Sequence, residues 1–301
     1  MRKLSVLLVL SFLFPSCGSG QKMASATSET SQMVVVSGNL TEVKKEDNEV
    51  ISKEIPLDTV SDSLKIEEAK DSEEKPMEST SKTIISTQSF NHSVWDGLLK
   101  EYVSIDGRVN YEGLRQSKGI LRDYISSLGA NIPDESWSKE DELAYWMNAY
   151  NAMTVDLILR NLPLESIKDI ANPWDQRLWK LDDKWYNLEE IEHQILRKMK
   201  DPRIHFGINC ASFSCPPLMN EAFTSEAVDS QLDHLTRSFI NDTERNTISE
   251  NSIEISKIFS WFAKDFKTEG TIIDFLNKYS TITINSKARK SYKKYDWSLN
   301  K

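Results

Sequence analysis

Residues 204–218, IHFGINCASFSCPPL, gather the side chains best suited to chemistry: the thiols Cys210 and Cys215, the polar Asn209, Ser212 and Ser214, and the imidazole of His205. The apolar run from Ile204 to Ile208 reads as a strand emptying into this polar segment, and Pro216 and Pro217 stop regular structure beyond it. Such a set points first to thiol chemistry. Cys210 would act as a nucleophile if a nearby imidazole or helix N-terminus lowered its pKa. On a straight strand His205 faces away from Cys210, so it serves only if the chain bends at Gly207. His193, on the preceding helical segment, is the other candidate base, and Asn148, Glu192 or Asp201 could orient the ring as a third group does in thiol hydrolases.

Two further outcomes fit the same residues. In an oxidising compartment Cys210 and Cys215 are a candidate disulfide. So small a loop gains little through chain entropy, so the bond would serve to fix local shape. Zinc on His205, Cys210 and Cys215 lacks the usual knuckle spacing and needs a fourth ligand from elsewhere, so no metal and no cofactor is expected.

The elements that must position this loop alternate helices with short strands. Ser138 followed by Asp141 has capping-box character and starts a helix that Pro163 ends at about Leu162. Tyr145, Asn148 and Asn151 lie on that helix at i, i+3 and i+6, a slowly rotating polar stripe among apolar neighbours. Their predicted role is to hydrogen-bond the irregular backbone of residues 209–215, because buried amides need partners. Further helices are predicted over 90–103, 112–128, 188–199, 224–240, 257–266 and 271–279. Hairpins are predicted where 178–180 meets 185–187 and where 247–248 meets 253–255, with a closing strand near Tyr295. Asp296 is a candidate partner for Arg177 or Arg203, and His92 and His234 are assigned to exposed faces. The expected class is α+β: one compact helix-rich domain with a small mixed or antiparallel sheet and two short hairpins.

Composition divides the chain into three parts. Residues 1–17 read as a lipoprotein-type signal peptide: Arg2 and Lys3, an apolar run too short to span a bilayer, and a lipobox-like FPSC ending at Cys17. Residues 18–89 form an acidic Ser/Thr/Glu/Lys linker without one aromatic ring, expected to be disordered because it cannot offset the entropy of ordering. From Phe90 to the end, all the Trp and Tyr residues appear, in a length that suits one domain. The expected attachment is lipid on Cys17 in a bacterial envelope. The periplasmic face is favoured because Gly18-Ser19-Gly20 carries no acidic cluster; a soluble product cut after Gly18 is the alternative. The net charge is −9 with no basic stripe, which argues against nucleic acid as a partner.

Six runs occur in order: AYWMNAYNAMT (144–154), LEEIEHQILR (188–197), DPRIHFGINCASFSCPPL (201–218), QLDHLTRSFIND (231–242), ISKIFSWFAKDF (255–266) and YDWSLN (295–300). Together they resemble the domain-of-unknown-function family 547. The resemblance implies a bacterial member that is secreted or lipid-anchored; it supplies no reaction. Two functions remain. The first, and the one the sequence favours because spacing alone secures no catalytic pair, is a non-catalytic binding or scaffolding module whose loop is shaped by a Cys210–Cys215 bond. The second is a cysteine-dependent hydrolase or acyl transferase, acting on peptide, amide or thioester bonds, with Cys210 as nucleophile and His193 or His205 as base.

Overall fold

The computed structural model describes residues 89–301; the predicted leader with Cys17, and the linker as far as residue 88, lie outside the described residues. Helices α1 (Ser93–Tyr102), α2 (Tyr111–Leu114) and α3 (Lys118–Gly129) precede the long α4 (Lys139–Asn161). Ser138 Oγ accepts the Asp141 N–H at 3.0 Å and donates to Asp141 Oδ2 at 2.6 Å, so a cap and an acidic first turn fix where α4 begins. Leu162 turns extended and Pro163 follows, ending it. The apolar and aromatic side chains of α4 are buried on all its faces from Leu143 to Leu159, which makes α4 the axis of the domain rather than a surface helix. Around it pack α3, the 188–199 segment and α7 (Val228–Asn241).

Segment 188–199 is helical as predicted but not uniform. It opens as α5 (Leu188–Glu190), widens into a π turn over Ile191–Ile195, then tightens into a 3-10 turn over Leu196–Met199. Hydrophobic spacing alone does not distinguish these windings. Residues 204–208, predicted as a strand, instead begin with the one-turn helix α6 (Ile204–Gly207), and only Ile208 is extended. Asp201 decides this: its carboxylate takes the Arg203 N–H at 2.9 Å and its carbonyl takes the Ile204 N–H at 3.3 Å, turning the chain before the apolar run can extend.

The architecture is α+β and helix-rich, as the sequence predicts. Strands β1 (Trp179–Leu181) and β2 (Lys184–Tyr186) form an antiparallel hairpin set one residue from its predicted position. The reason is that Asp182, at φ 51°, takes the left-handed turn position. In the second sheet β3 (Thr247–Ile248) pairs antiparallel with β4 (Ser252–Ile255), and β4 pairs parallel with β5 (Arg289–Tyr292). Two short helices, α8 (Ile258–Trp261) and α9 (Ile272–Tyr279), separate β4 from β5. The closing strand therefore lies before Tyr295, not at it. Residues beyond Tyr295 run instead across the 209–215 loop, touching it at the isolated bridge Ser212–Leu299. Among the described residues no helix is long and apolar enough to cross a membrane.

Candidate active site

The 209–217 loop has no ladder of its own, and its polar backbone is satisfied from three directions. From α4, Asn151 Nδ2 donates to Gly207 O at 2.9 Å while its Oδ1 takes the Asn209 N–H at 2.9 Å. From within the loop, Asn209 Oδ1 takes the Ala211 N–H at 2.7 Å and Nδ2 donates to Pro216 O at 2.7 Å. That clasp holds Ala211 at φ 58°, a conformation a Cβ normally disfavours. From outside, Arg245 donates to Phe213 O and Cys215 O, and the C-terminal segment supplies Ser298 O to Phe213 N–H at 2.7 Å. Gly207 lets α6 press on α4: a Cβ there would sit 2.0 Å from Met147 Cε.

Both thiols are free. The predicted Cys210–Cys215 bond is replaced by hydrogen bonding: Cys215 Sγ accepts the Cys210 N–H at 3.0 Å. Cys210 Sγ also meets Ser212 Oγ at 3.0 Å and Tyr295 OH at 3.4 Å, and Ser212 donates to Tyr295 at 3.0 Å, leaving the phenol proton for the sulfur. The Cys215 thiol reaches Ile208 O only weakly, at 3.9 Å, which leaves its proton free to turn toward Cys210. The hydrogen bond from Cys215, against the cost of burial and with help from Ser212 and Tyr295, draws the Cys210 pKa below the ordinary thiol value. Burial first, then the negative charge on Cys210, pushes Cys215 the other way. The two shifts run in opposite directions, so ionisation of the pair falls on Cys210 first.

Neither predicted base bonds Cys210. A single network fixes both imidazoles: Arg197 Nη1 lies 2.7 Å from His193 Nδ1, Arg197 Nε and Nη2 grip Asp265, and Asp265 Oδ2 lies 2.8 Å from His205 Nε2. Guanidinium only donates and carboxylate only accepts, which assigns the tautomers. His193 Nδ1 must accept, so its Nε2 carries the hydrogen. His205 Nε2 must donate, leaving a lone pair on Nδ1, which is buried without a partner. Burial, with Arg197 adding to it, lowers the pKa of His193; burial lowers that of His205 despite Asp265. Both rings are neutral near pH 7, His193 as a donor and His205 as a ring stacked 3.9 Å from Phe262.

Glu192 holds the titrating role instead. It sits on the π turn, 8% exposed, and Tyr150 OH donates to its Oε2 at 3.1 Å. Burial raises its pKa to about 7 although the Tyr150 hydrogen bond opposes the shift. Cys210, Cys215, Glu192, His193 and His205 all line one cavity of about 180 Å³, walled by Trp174, Trp261, Phe262, Tyr295 and Trp297. A wider cleft of about 950 Å³ beside α1 and the end of α3 is lined by neither thiol nor imidazole.

The amide stripe divides. Asn151 supports the loop as predicted, but Asn148 pairs with Phe223 through both backbone groups (2.8 and 3.0 Å), and Tyr145 OH donates to Leu128 O. Six positions along a helix rotate well past one face, so the three amide and phenol groups address three neighbours. Ser212 touches the sulfur, whereas Ser214 Oγ takes the Asp296 N–H and ties down the C-terminal segment. Asp296 meets neither Arg177 nor Arg203, which are engaged by Glu190 and by Asp201 with Asp229. His92, assigned to an exposed face, is buried against Tyr124. Among the described residues no three His, Cys, Asp or Glu side chains converge to hold a metal ion. Sequence reasoning missed Tyr150, Arg197, Asp265 and Tyr295, which reach the site from four separate stretches; the one signal was that each lies within or beside a quoted run.

The family model described as "Protein of unknown function, DUF547" matches residues 135–240. No curated protein and no solved structure matches the chain. The matched segment contains α4, the π turn and the thiol loop, while the runs at 255–266 and 295–300 fall beyond it. Over residues 135–240, about a third of its length, the chain is similar to the DUF547 family.

Proposed function

We propose that Cys210 is the nucleophile of a cysteine-dependent hydrolase or acyl transferase acting on peptide, amide or thioester bonds. The observation that carries this reading is the sulfur's setting: Cys210 Sγ takes the Tyr295 hydroxyl at 3.4 Å and lies 3.0 Å from Ser212 Oγ, at the wall of an aromatic cavity that also holds Glu192. Such a sulfur is a thiolate without needing an imidazole to deprotonate it. It attacks the carbonyl carbon, the C–S bond forms, and the C=O electron pair moves to oxygen, where the Nε2–H of His193 is a suitable donor. Protonated Glu192 gives its proton to the departing amine, alcohol or thiol. The resulting carboxylate then deprotonates the water or acceptor that cleaves the thioester, restoring both groups. A carboxyl with pKa about 7 is matched to both steps. Two free thiols at the cavity wall support the reactive reading over a recognition loop shaped by a Cys210–Cys215 bond.

The test uses p-nitrophenyl acetate and a short acyl thioester with the purified chain. A burst of released product and an acyl adduct on Cys210 are expected, both abolished by Cys210→Ser. Turnover undiminished by that substitution would end the proposal. The envelope assignment rests on the sequence around Cys17: incorporation of labelled palmitate, lost in Cys17→Ala, is the expected result, and no incorporation would contradict lipid anchoring.

A further inference from the structure

Cys215 has no part in the acyl-transfer scheme beyond its hydrogen bonds, yet the fold takes trouble to hold it beside Cys210. Its sulfur accepts the Cys210 N–H at 3.0 Å, and both thiols border the same cavity. The turn that brings them together is set by the Asn209 clasp and the left-handed Ala211 rather than by an S–S bond. Cys215 is 5% exposed, so a small oxidant entering the cavity meets Cys210 first.

We infer that Cys210 and Cys215 are a two-electron redox pair that reduces small hydroperoxides, with Cys210 the attacked thiol and Cys215 the resolving one. Cys210 thiolate attacks the distal peroxide oxygen; the S–O bond forms, the O–O bond breaks, and the departing alkoxide takes a proton to leave as an alcohol. Cys215 then attacks the sulfenic sulfur; the S–S bond forms, the S–O bond breaks, and hydroxide leaves as water with the Cys215 thiol proton. Two thiols and one hydroperoxide thus give one disulfide, one alcohol and one water, and an external dithiol returns the pair to its starting state. The disulfide also masks the nucleophile, so oxidation would switch off the acyl chemistry. The redox inference shares Cys210 with the proposed function but does not require acyl transfer.

The experiment treats the reduced full chain with one equivalent of cumene hydroperoxide in the presence of dimedone, followed by peptide mass spectrometry. Expected are an intramolecular Cys210–Cys215 disulfide, loss of both titratable thiols, recovery of both with dithiothreitol, and no dimedone adduct. In Cys215→Ala, and in Cys215→Ser should Ala disturb folding, dimedone should label Cys210. Dimedone labelling of wild-type Cys210 equal to that of Cys215→Ala, or two thiols surviving peroxide, would overturn the inference. Acyl-adduct formation by the reduced protein is scored separately, so disulfide formation without acylation removes only the hydrolase reading, and acylation without disulfide removes only the redox one.

Discussion

Replacing Cys215 by Ala removes the thiol that donates to Cys210, and Ser212 and Tyr295 alone then support the charge. The expected outcome is an upward shift of the pH midpoint for Cys210 alkylation by iodoacetamide; an unchanged midpoint would show that Cys215 contributes nothing to it. Glu192 makes a second residue-scale prediction, in stability. Its pKa rises from 4.5 to about 7 on folding, so the folded state favours the protonated carboxyl. The stabilisation is complete below the unfolded value and is lost as pH climbs through the folded one. Across that window the wild type should lose roughly 3 kcal/mol relative to Glu192→Gln, whose amide does not titrate. Urea melts at pH 5 and pH 8 measure this; parallel losses in both proteins would contradict the assigned burial.

At the scale of elements, α4 supports the site through one amide. Asn151→Ala strands Gly207 O and the Asn209 N–H, at an expected cost of about 2–4 kcal/mol in urea denaturation, and slows Cys210 alkylation. Asn148→Ala breaks a similar pair at Phe223 with a similar cost but should leave alkylation unchanged. If the two variants slow alkylation equally, Asn151 has no special hold on the loop. Gly207→Ala should cost about 1–3 kcal/mol, because the new methyl drives Met147 and then Leu232 and Phe223 aside. The capping residue of α4 and both hairpins were legible from spacing and turn residues, which act locally. The reversal at 204–208 was not, because Asp201 turns the chain just ahead of it by taking the Arg203 N–H, which an apolar pattern does not encode. The π turn was hidden for the same reason: Leu188, Ile191 and Leu196 bury equally well on either winding.

Across the whole molecule the site is assembled from segments up to 147 residues apart in sequence, from α4, the π turn, the thiol loop, Asp265 and the C-terminal segment. The loop itself was readable as the chemical centre, since its residue types announce thiol chemistry; its supports were not, because Arg197, Asp265 and Tyr295 are recognised only once the chain is folded. Deleting residues 295–301 should strip Tyr295 from the sulfur and Ser298 O from Phe213, leaving the core near α4 intact while Cys210 loses its low pKa. Retained far-UV circular dichroism with alkylation shifted to higher pH is the expected pair of results. The most direct test of the account is the pH dependence of iodoacetamide labelling in the wild-type chain, resolved by peptide mass spectrometry. The account predicts that Cys210 reacts first, with a midpoint well below the roughly 8.5 of a free cysteine, while Cys215 stays unlabelled until the protein unfolds. A Cys210 that titrates at the ordinary thiol value, or that reacts no faster than Cys215, would contradict it.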